Sequence, residues 1–339
     1  MKNIIFLLDL EKKPSGGRKI IYQFCSYINT LKNYKALVCL VEKRRINKLI
    51  ISIKKKFKIN TQKTGWEFTD LKISNKKKLN WDSSKVNFKN SFIFDKEKDF
   101  IILPEIFAHF ATEYFLEKKI PYAIFVQNGY AIFPINDKQK LNLAYNNAKF
   151  ILSYSKDIDE CVFKAFPNSK NKILKVVPAI NHAKLTPNKT KENLITYMPR
   201  KLAKHSELVL SFLKTHLPKN WKIKPLDNLT EKEVFYNLKK SKLFMSFSEL
   251  EGLGMPPIEA ALAGNKVIGY TGEAGKEYWS LPIFKEVKNG NIKKFCDEVL
   301  HFIRNNKSTN FNKQRKVLLK KYSMANQEKS ILNFLKKIS

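Results

Sequence analysis

Residues 245–270 read MSFSELEGLGMPPIEAALAGNKVIGY, and this stretch decides the fold. Its apolar start, which ends in two serines, predicts a strand, and residues 251–255 predict a loop. Pro256 near the first turn and Gly264 just after the last turn are typical boundaries of a short helix, and another apolar strand follows. In an open α/β sheet such a loop lies at the carboxyl edge of the strands, where ligands bind.

The loop has the chemistry of an anion site. Because Pro256 and Pro257 have no N–H, the amides that can face a ligand are those of residues 252–255, and two glycines there allow an anion to approach closely. We expect Glu251 in the loop and Glu259 in the first helical turn, and carboxylates are good acceptors for vicinal sugar hydroxyls. Together these residues predict a site for a nucleotide diphosphate sugar.

The spacing of these two glutamates is not specific by itself, because Glu97 with Glu105 and Glu105 with Glu113 have the same separation. The specificity comes from the context of strand, serine, Glu-Gly-x-Gly, Pro-Pro and a glutamate on a small-residue helix. The alternative is structural: Glu259 would stabilise the helix N-terminus through the helix dipole, and Glu251 would be a solvated loop acid.

Outward from this stretch, short apolar runs rich in β-branched residues alternate with segments of helical period. This pattern is typical of parallel sheets covered by helices, so the fold class is α/β. The 339 residues suffice for two domains, and the polar residues 178–193 are interpreted as the linker. The expected strands cover residues 4–10, 36–41, 100–103, 122–126, 150–154, 173–177, 194–198, 221–223, 242–247 and 266–270. The expected helices cover residues 18–31, 203–215, 231–239, 257–263, 292–305 and about the last thirty residues.

The charge of the chain favours anionic partners. It has 64 basic and 30 acidic residues, a net charge of +34, which attracts phosphates, acidic glycans, nucleic acid or an anionic bilayer. Only six of the basic residues are arginine, and nucleic-acid readers rely on arginine, so no nucleic acid is expected. An AT-rich genome would give the same excess of lysine without a functional cause.

Residues 42–90 are unusually basic, with 15 basic and four acidic side chains and interspersed aromatics. Two interpretations remain open. The segment is either an insertion that meets an anionic acceptor or lipid surface, or a solvated excursion whose aromatic residues pack on the domain. The aromatic residues concerned are Phe57, Trp66, Phe68, Trp81 and Phe88.

The cysteines and the hydropathy of the sequence indicate the cellular compartment. Cysteines at positions 25, 39, 161 and 296 form no CxxC pair and have no histidine at zinc-finger spacing, so reduced thiols are expected, without a metal site or disulfide framework. No apolar stretch reaches the roughly 18 residues of a membrane span. We expect a cytoplasmic protein, either free or peripheral at the inner face of the membrane.

The motif EGLGMPPIEAALAGNKVIGY resembles the E-x7-E signature of GT-B glycosyltransferases, in particular the large retaining family numbered four. The resemblance is clear over residues 194–280 and weaker in the N-terminal half. It implies two Rossmann-like domains facing an interdomain cleft. Residues 1–178 would form the acceptor-side domain and 190–317 the nucleotide-sugar-binding domain, while a helix of about 318–339 packs back onto the first.

The resemblance also assigns roles at the loop. Glu251 would lie beside the donor sugar and its leaving phosphate, and Glu259 would hold the ribose hydroxyls. Gly252, Leu253 and Gly254 would meet the diphosphate. Transfer would retain the anomeric configuration, with no metal and no cofactor besides the nucleotide-sugar donor, and no DxD motif occurs at a strand end.

Relatives carry a basic pair near the end of the first strand of the second domain. Here the sequence is ITYMPRK, and Arg200 is the best match, with Lys201 or Lys204 as its companion. The chemistry needs positive charge there, because a departing nucleoside diphosphate develops negative charge on its oxygens. The alternative is a surface residue that caps the strand.

The N-terminal half offers four further candidate residues, of which Gly16, Gly17 and Asn128 follow from the same resemblance. Gly16 and Gly17, between a strand and a helix, match the glycine loop that meets the donor phosphates or the acceptor, although a simple turn would also explain them. Asn128 aligns with a histidine that relatives place near the reacting sugar. An asparagine at this position keeps a hydrogen-bonding group but has no titratable one. His109 either approaches the cleft or is a packed histidine.

The sequence therefore predicts a glycosyltransferase that acts on a glycan or lipid-linked acceptor in surface polysaccharide or glycoconjugate synthesis. The partners would be the nucleotide sugar, an anionic acceptor and an anionic membrane surface. Alternatives are a GT-B relative such as a sugar-nucleotide epimerase or polyol-phosphate polymerase, a basic nucleic-acid-binding protein, and a GT-B-shaped scaffold without activity.

Overall fold

The chain consists of two units in the computed structural model, which describes residues 1–10, 15–43, 67–74, 86–180, 182–305 and 311–339. Unit 1 comprises Met1–Tyr154, Ile158–Val176 and Glu328–Ser339, and unit 2 comprises Ser155–Asp157 and Val177–Gln327. Each unit has its own sheet.

Unit 1 contains an eight-stranded sheet in the order β3-β2-β1-β5-β6-β7-β8, with β4 paired to β2. Every pairing is parallel except that of β2 with β3. Residues 4–8 of β1 are apolar and buried without alternation, as expected for a parallel strand covered on both faces. The strands are β1 (Lys2–Asp9), β2 (Tyr34–Lys43), β3 (Leu71–Ile73), β4 (Asn87–Phe88), β5 (Asp99–Pro104), β6 (Tyr122–Phe125), β7 (Phe150–Ser153) and β8 (Ile173–Lys175).

Three helices follow strands β1, β6 and β7. They are α1 (Gly16–Ile28), α2 (Lys138–Asn147) and α3 (Lys156–Ala165). The side chain of Asp137 accepts the Lys140 amide at 2.8 Å and so begins α2.

The described aromatic residues of the basic segment pack onto unit 1. Phe68 is buried and stacks on Tyr114 with 4.3 Å between ring centroids. Phe88 is half-buried in β4. For Phe68 the packing interpretation is therefore correct, whereas Phe57, Trp66 and Trp81 lie outside the described residues.

Unit 2 contains five parallel strands in the order β10-β9-β11-β12-β13. The strands are β9 (Glu192–Tyr197), β10 (Lys222–Pro225), β11 (Ser241–Glu251), β12 (Lys266–Glu273) and β13 (Phe284–Glu286). The helices are α4 (Ala203–Lys214), α5 (Glu231–Lys240), α6 (Met255–Leu262), α7 (Ile292–Arg304) and α8 (Asn312–Lys321). The rings of Phe247 and Phe295 stack in the core of unit 2, with 4.9 Å between their centroids.

Residues of the predicted linker and of the last helix are partly buried. The predicted linker, residues 178–193, contributes the buried side chains of Ile180 and Leu185. The last helix, α9 (Met324–Ile338), lies mostly in unit 1, where Phe334 contacts Phe100 and Phe150 with centroid distances of 5.8 and 6.3 Å.

Candidate active site

The strand order of unit 2 creates a topological switch point between β9 and β11. β9 pairs with β10 on one side and with β11 on the other. The chain therefore leaves the carboxyl ends of β9 and β11 in opposite directions, and ligands bind in the crevice that this opens. Arg200 and Lys201 follow β9 and Glu251 ends β11, so the predicted cations and acid meet there.

These residues line one pocket of about 60 Å³. A pocket of this size accommodates one polar group of a ligand rather than a whole nucleotide sugar. Lys201 Nζ forms an ion pair with Glu251 Oε1 at 3.1 Å. Arg200 has no ion-pair partner among the described residues, so its positive charge, unlike that of Lys201, is not compensated by a carboxylate there. The polar or cationic lining residues are Arg200, Lys201, Ser246, Ser248 and Glu251, and Pro256 borders them.

The strand before the loop is longer than the sequence suggested. β11 continues to Glu251, with a register shift between Ser248 and Glu251 against β12, so Glu251 ends the strand and is not a loop residue. The bulge explains the error, since it lets the strand continue past the polar residues. Helix α6 begins at Met255, which puts Glu259 in its second turn rather than its first.

The loop between β11 and α6 is fixed by Tyr278. The Tyr278 hydroxyl lies 3.0 Å from the carbonyl oxygen of Leu253 and 2.8 Å from that of Gly254. Tyr278 is only 2% exposed, and burial raises its pKa well above the usual value, so the hydroxyl stays protonated. Gly254 has φ of +74°, which a residue with a side chain rarely adopts.

This clamp directs the amides of the loop. In a trans peptide the N–H points opposite to the C=O, and the chain has no cis peptide among its described residues. Because the carbonyls of Leu253 and Gly254 face Tyr278, the amides of Gly254 and Met255 point away from it. Neither amide has a hydrogen-bond partner in the described part of the chain. Two aligned free amides are suited to an anion.

Some predicted residues lie elsewhere. Among the described residues that line the pocket, neither Lys204 nor Glu259 is present. Lys204 is exposed in the first turn of α4, and Glu259 is 9% exposed within α6. The side chain of Leu253 is buried, which leaves only its backbone for a ligand, and Gly252 is buried beside it.

Unit 1 has its own strand-end cluster between β1, β5 and β6. Gly16 and Gly17 begin α1, and Gln127 Nε2 donates to the Gly17 carbonyl at 3.0 Å. A Cβ on Gly17 would overlap Gln127 Oε1, so a larger residue at position 17 would require the Gln127 side chain to move. Asn128 accepts the Tyr130 amide at 2.9 Å and begins a short 3-10 turn, so its amide oxygen serves as a local cap.

Glu105 holds the backbone of this cluster through its carboxylate. Its two carboxylate oxygens accept the amides of Gln127 and Asn128, each at 3.1 Å. Burial raises the pKa of Glu105 to about 7, against the lowering effect of these hydrogen bonds. The Tyr154 hydroxyl donates to the Gln127 carbonyl at 2.7 Å. Glu105 and Gln127 thus connect the segments that follow β5, β6 and β7 with the start of α1.

Sequence reasoning missed Glu105, Gln127 and Tyr278 as site residues. Glu105 had a signal, since it directly follows an apolar strand. Tyr278 had none, because it lies more than twenty residues after the loop that it holds. His109 is buried and packs on Phe110 with 4.4 Å between centroids, which agrees with the packed interpretation.

Other chemistry is limited in the described ranges. No group of three or more His, Cys, Asp or Glu residues there could hold a metal ion, and no described helix combines the length and apolarity of a membrane span. The four cysteines are free thiols, and burial raises the pKa of Cys296 to about 11.

The structure is similar to solved glycosyltransferase structures, whereas no family model and no curated protein matches the sequence. HepE from Anabaena, in complex with UDP and glucose, is 11% identical with a TM-score of 0.69 over 98% of this chain and 99% of that one. Sucrose-phosphate synthase from Thermosynechococcus elongatus is 8% identical, with a TM-score of 0.66 over 100% and 99%. TarM from S. aureus, in complex with fondaparinux, α-GlcNAc-glycerol and UDP, is 13% identical, with a TM-score of 0.60 over 100% of both chains.

At such low sequence identity the structural similarity establishes the fold alone, and the activity has to be argued from the residues of the site. The predicted fold class is confirmed: this chain has an α/β fold with parallel sheets that matches the structures of GT-B glycosyltransferases over essentially its whole length.

Proposed function

We propose that this protein is a glycosyltransferase that binds a nucleotide diphosphate sugar at the switch point of unit 2. One observation carries the proposal: Arg200, which has no ion-pair partner in the described part of the chain, and the Lys201–Glu251 pair line a pocket at the ends of β9 and β11. The neighbouring loop presents the amides of Gly254 and Met255, which have no hydrogen-bond partner among the residues that the structure describes. A phosphate needs this combination of fixed cation and free amides.

In the proposed complex the diphosphate contacts the loop amides and Arg200. Arg200 is the stronger candidate of the two bases because Lys201 is already neutralised by Glu251. Glu251 would accept hydroxyls of the donor sugar, and Glu259 would hold the ribose. Lys204, exposed on α4, would act only as a more distant positive charge.

Transfer breaks the bond between the anomeric carbon and the diphosphate, and the leaving group develops negative charge. Arg200 would stabilise that charge, by about 1.5 to 3 kcal/mol for one charge-assisted contact. The acceptor oxygen would bond to the anomeric carbon on the face from which the diphosphate leaves, which retains the configuration, and the acceptor's proton would pass to the leaving phosphate. The proposed reaction uses no metal and no cofactor besides the donor.

The donor proposal is supported by the ligands of similar structures, since HepE and TarM were both solved with UDP. We place the acceptor on the unit 1 side, near Gly16, Gly17 and Asn128. The net charge of +34 favours an anionic glycan or lipid-linked acceptor of surface polysaccharide synthesis. The enzyme would work in the cytoplasm, free or at the inner face of the membrane, without nucleic acid.

The test is a panel of nucleotide sugars and their free nucleoside diphosphates, scored by thermal stabilisation and then by product analysis. A ligand that binds only the folded state raises the melting temperature. Proton NMR of the product separates a retained glycoside from the new sugar nucleotide of an epimerase or the phosphodiester of a polyol-phosphate polymerase. If no member stabilises the protein, and nucleic acid binds tightly at physiological salt, the proposal is wrong.

A further inference from the structure

Glu273 holds a strained backbone conformation at the carboxyl end of β12. Its φ and ψ are +64° and −69°, close to the rarer of the two γ-turn conformations, which strains any residue with a side chain. Glycine would adopt this conformation with less strain, and Gly272 beside it has a φ of +65°. Strain of this kind persists where the surrounding structure imposes it, and it is concentrated in functional sites. Glu273 is therefore a candidate for a role beyond the fold.

Glu273 lies beside Glu251, which lines the pocket at the switch point. The two residues are Cα partners in the pairing of β11 with β12, so their backbones are about one strand spacing apart, ~4.8 Å. Gly272 leaves room for the Glu251 side chain, since a Cβ on Gly272 would lie 3.1 Å from Glu251 Cγ. The turn after Glu273 leads to Tyr278, whose hydroxyl holds the loop between β11 and α6. A ligand whose diphosphate contacts that loop would have its adjacent group near Glu251 and Glu273.

Each of these two carboxylates is paired with one lysine. Glu251 Oε1 lies 3.1 Å from Lys201 Nζ, and Glu273 Oε2 lies 2.6 Å from Lys276 Nζ. Within the described residues, neither Glu251 Oε2 nor Glu273 Oε1 accepts a hydrogen bond. Carboxylate oxygens accept hydrogen bonds and cannot donate them. Two such oxygens on neighbouring strand ends complement a ligand with several hydroxyl groups, and they repel a further carboxylate.

A purely structural role explains Glu273 less well. Its side chain makes no capping hydrogen bond to the 3-10 turn that follows it (Ala274–Glu277). Its ion pair with Lys276 joins side chains that are 44% and 58% exposed, and exposed pairs of this kind stabilise a fold little. A metal site is not indicated either, since no group of three or more His, Cys, Asp or Glu residues in the described ranges could hold an ion.

We propose that Glu273 is a specificity-determining residue that, together with Glu251, accepts hydroxyl groups of an uncharged donor sugar, so that hexoses are preferred over hexuronic acids. Hydroxyl groups would donate to the two carboxylates, whereas a uronate would approach two negative groups whose lysines are already paired. The inference rests on the proposed function, because it requires the diphosphate to lie on the loop between β11 and α6. It adds the class of donor sugar and a residue that contacts it.

The experiment is calorimetric titration of the full chain with UDP-glucose, GDP-mannose and ADP-glucose, with the corresponding hexuronic acid derivatives and with free UDP, GDP and ADP. Glu273→Gly relieves the backbone strain and removes the side chain, and Glu273→Gln keeps its size and removes its charge. The matched controls are Lys119→Gly, at another exposed residue of positive φ (53°), and Glu286→Gln, at an exposed carboxylate that ends β13.

We expect wild type to bind the nucleotide hexose at least about tenfold more tightly than the hexuronic acid derivative. Glu273→Gly should keep or raise the melting temperature, and it should raise the Kd of the nucleotide hexose about tenfold while the Kd of the free nucleoside diphosphate changes less than about twofold. Glu273→Gln should reduce the preference for the hexose at least about fivefold, and both controls should leave it within about twofold of wild type.

The outcomes separate this inference from the proposed function. If wild type binds a nucleoside diphosphate, but Glu273→Gly weakens the free and the sugar-bearing nucleotide equally, Glu273 does not contact the sugar and the inference is wrong. Equal wild-type affinities for the hexose and the hexuronic acid derivative would also overturn it. If wild type binds none of the three nucleoside diphosphates, the proposed function is wrong, and the inference that rests on it is wrong as well.

Discussion

Replacing Tyr278 by phenylalanine tests whether this side chain holds the loop that we propose for the diphosphate. The change keeps the ring, its packing and its volume, and removes only the hydroxyl that lies 3.0 and 2.8 Å from the carbonyls of Leu253 and Gly254. Both carbonyls are in a buried loop. Loss of a buried donor that leaves its acceptors unsatisfied costs about 1 to 3 kcal/mol, and we expect about 2 kcal/mol in the free energy of unfolding.

The same change should weaken donor binding. If the clamped loop conformation loses about 1.4 kcal/mol relative to alternatives of similar free energy, its population falls from about one half to about one tenth, and the apparent Kd rises about fivefold. Urea unfolding measures the first effect, and calorimetric titration with the nucleoside diphosphate measures the second. Because the pKa of Tyr278 is raised by burial, the difference from wild type should not change between pH 6 and about 8.

Tyr322→Phe is the matched control. Tyr322 is also buried in unit 2, its ring centroid lies 6.4 Å from that of Tyr278, and its hydroxyl has no hydrogen-bond partner among the described residues. We expect it to change the free energy of unfolding by less than ~1 kcal/mol and to leave Kd unchanged. Equal effects of the two substitutions on both quantities would refute the clamp.

Three further predictions follow from backbone geometry and burial. Gly254→Ala should lower the free energy of unfolding by ~1 to 2 kcal/mol, because φ is +74° and its Cβ would lie 3.0 Å from the Tyr278 hydroxyl, and thermal unfolding would reveal this. Glu105 has a pKa raised from 4.5 to about 7, so its protonated form is favoured by folding and its contribution to stability falls as pH rises from about 4.5 to about 7. Wild type should therefore lose stability relative to Glu105→Gln over that range, and a constant difference between the two proteins would contradict the shift. Gly17→Ala should be destabilising through contact with Gln127, and less so in a Gln127→Ala background, as a double-mutant cycle would measure.

Much of the fold could be predicted because parallel α/β sheets leave a strong periodic signal. The strand expected at residues 4–10 is β1 (Lys2–Asp9), and the helix expected at 292–305 is α7 (Ile292–Arg304). These elements are bounded by buried apolar runs and polar ends, which short windows of sequence record. Strands β3 and β4 were missed because two or three residues inside a lysine-rich segment carry no period.

The candidate site was only partly predictable, for a physical reason. Arg200 and Glu251 could be selected because each follows or ends an apolar strand, and parallel strands bring such ends to one edge. The clamp from Tyr278 and the bridge from Glu105 to Gln127 are contacts across long sequence separations. Only the strand order of the folded chain brings those partners together.

The central claim is that the switch point of unit 2 binds a nucleoside diphosphate through Arg200. The most direct test is calorimetric titration of wild type, Arg200→Ala and Arg304→Ala with UDP, GDP and ADP, where Arg304 is an exposed arginine at the end of α7 in the same unit. We predict that at least one nucleotide binds wild type, that Arg200→Ala raises its Kd by ~10-fold or more, and that Arg304→Ala changes it less than about twofold. Failure of all three nucleotides to bind, or equal affinities for the two variants, would contradict the assignment.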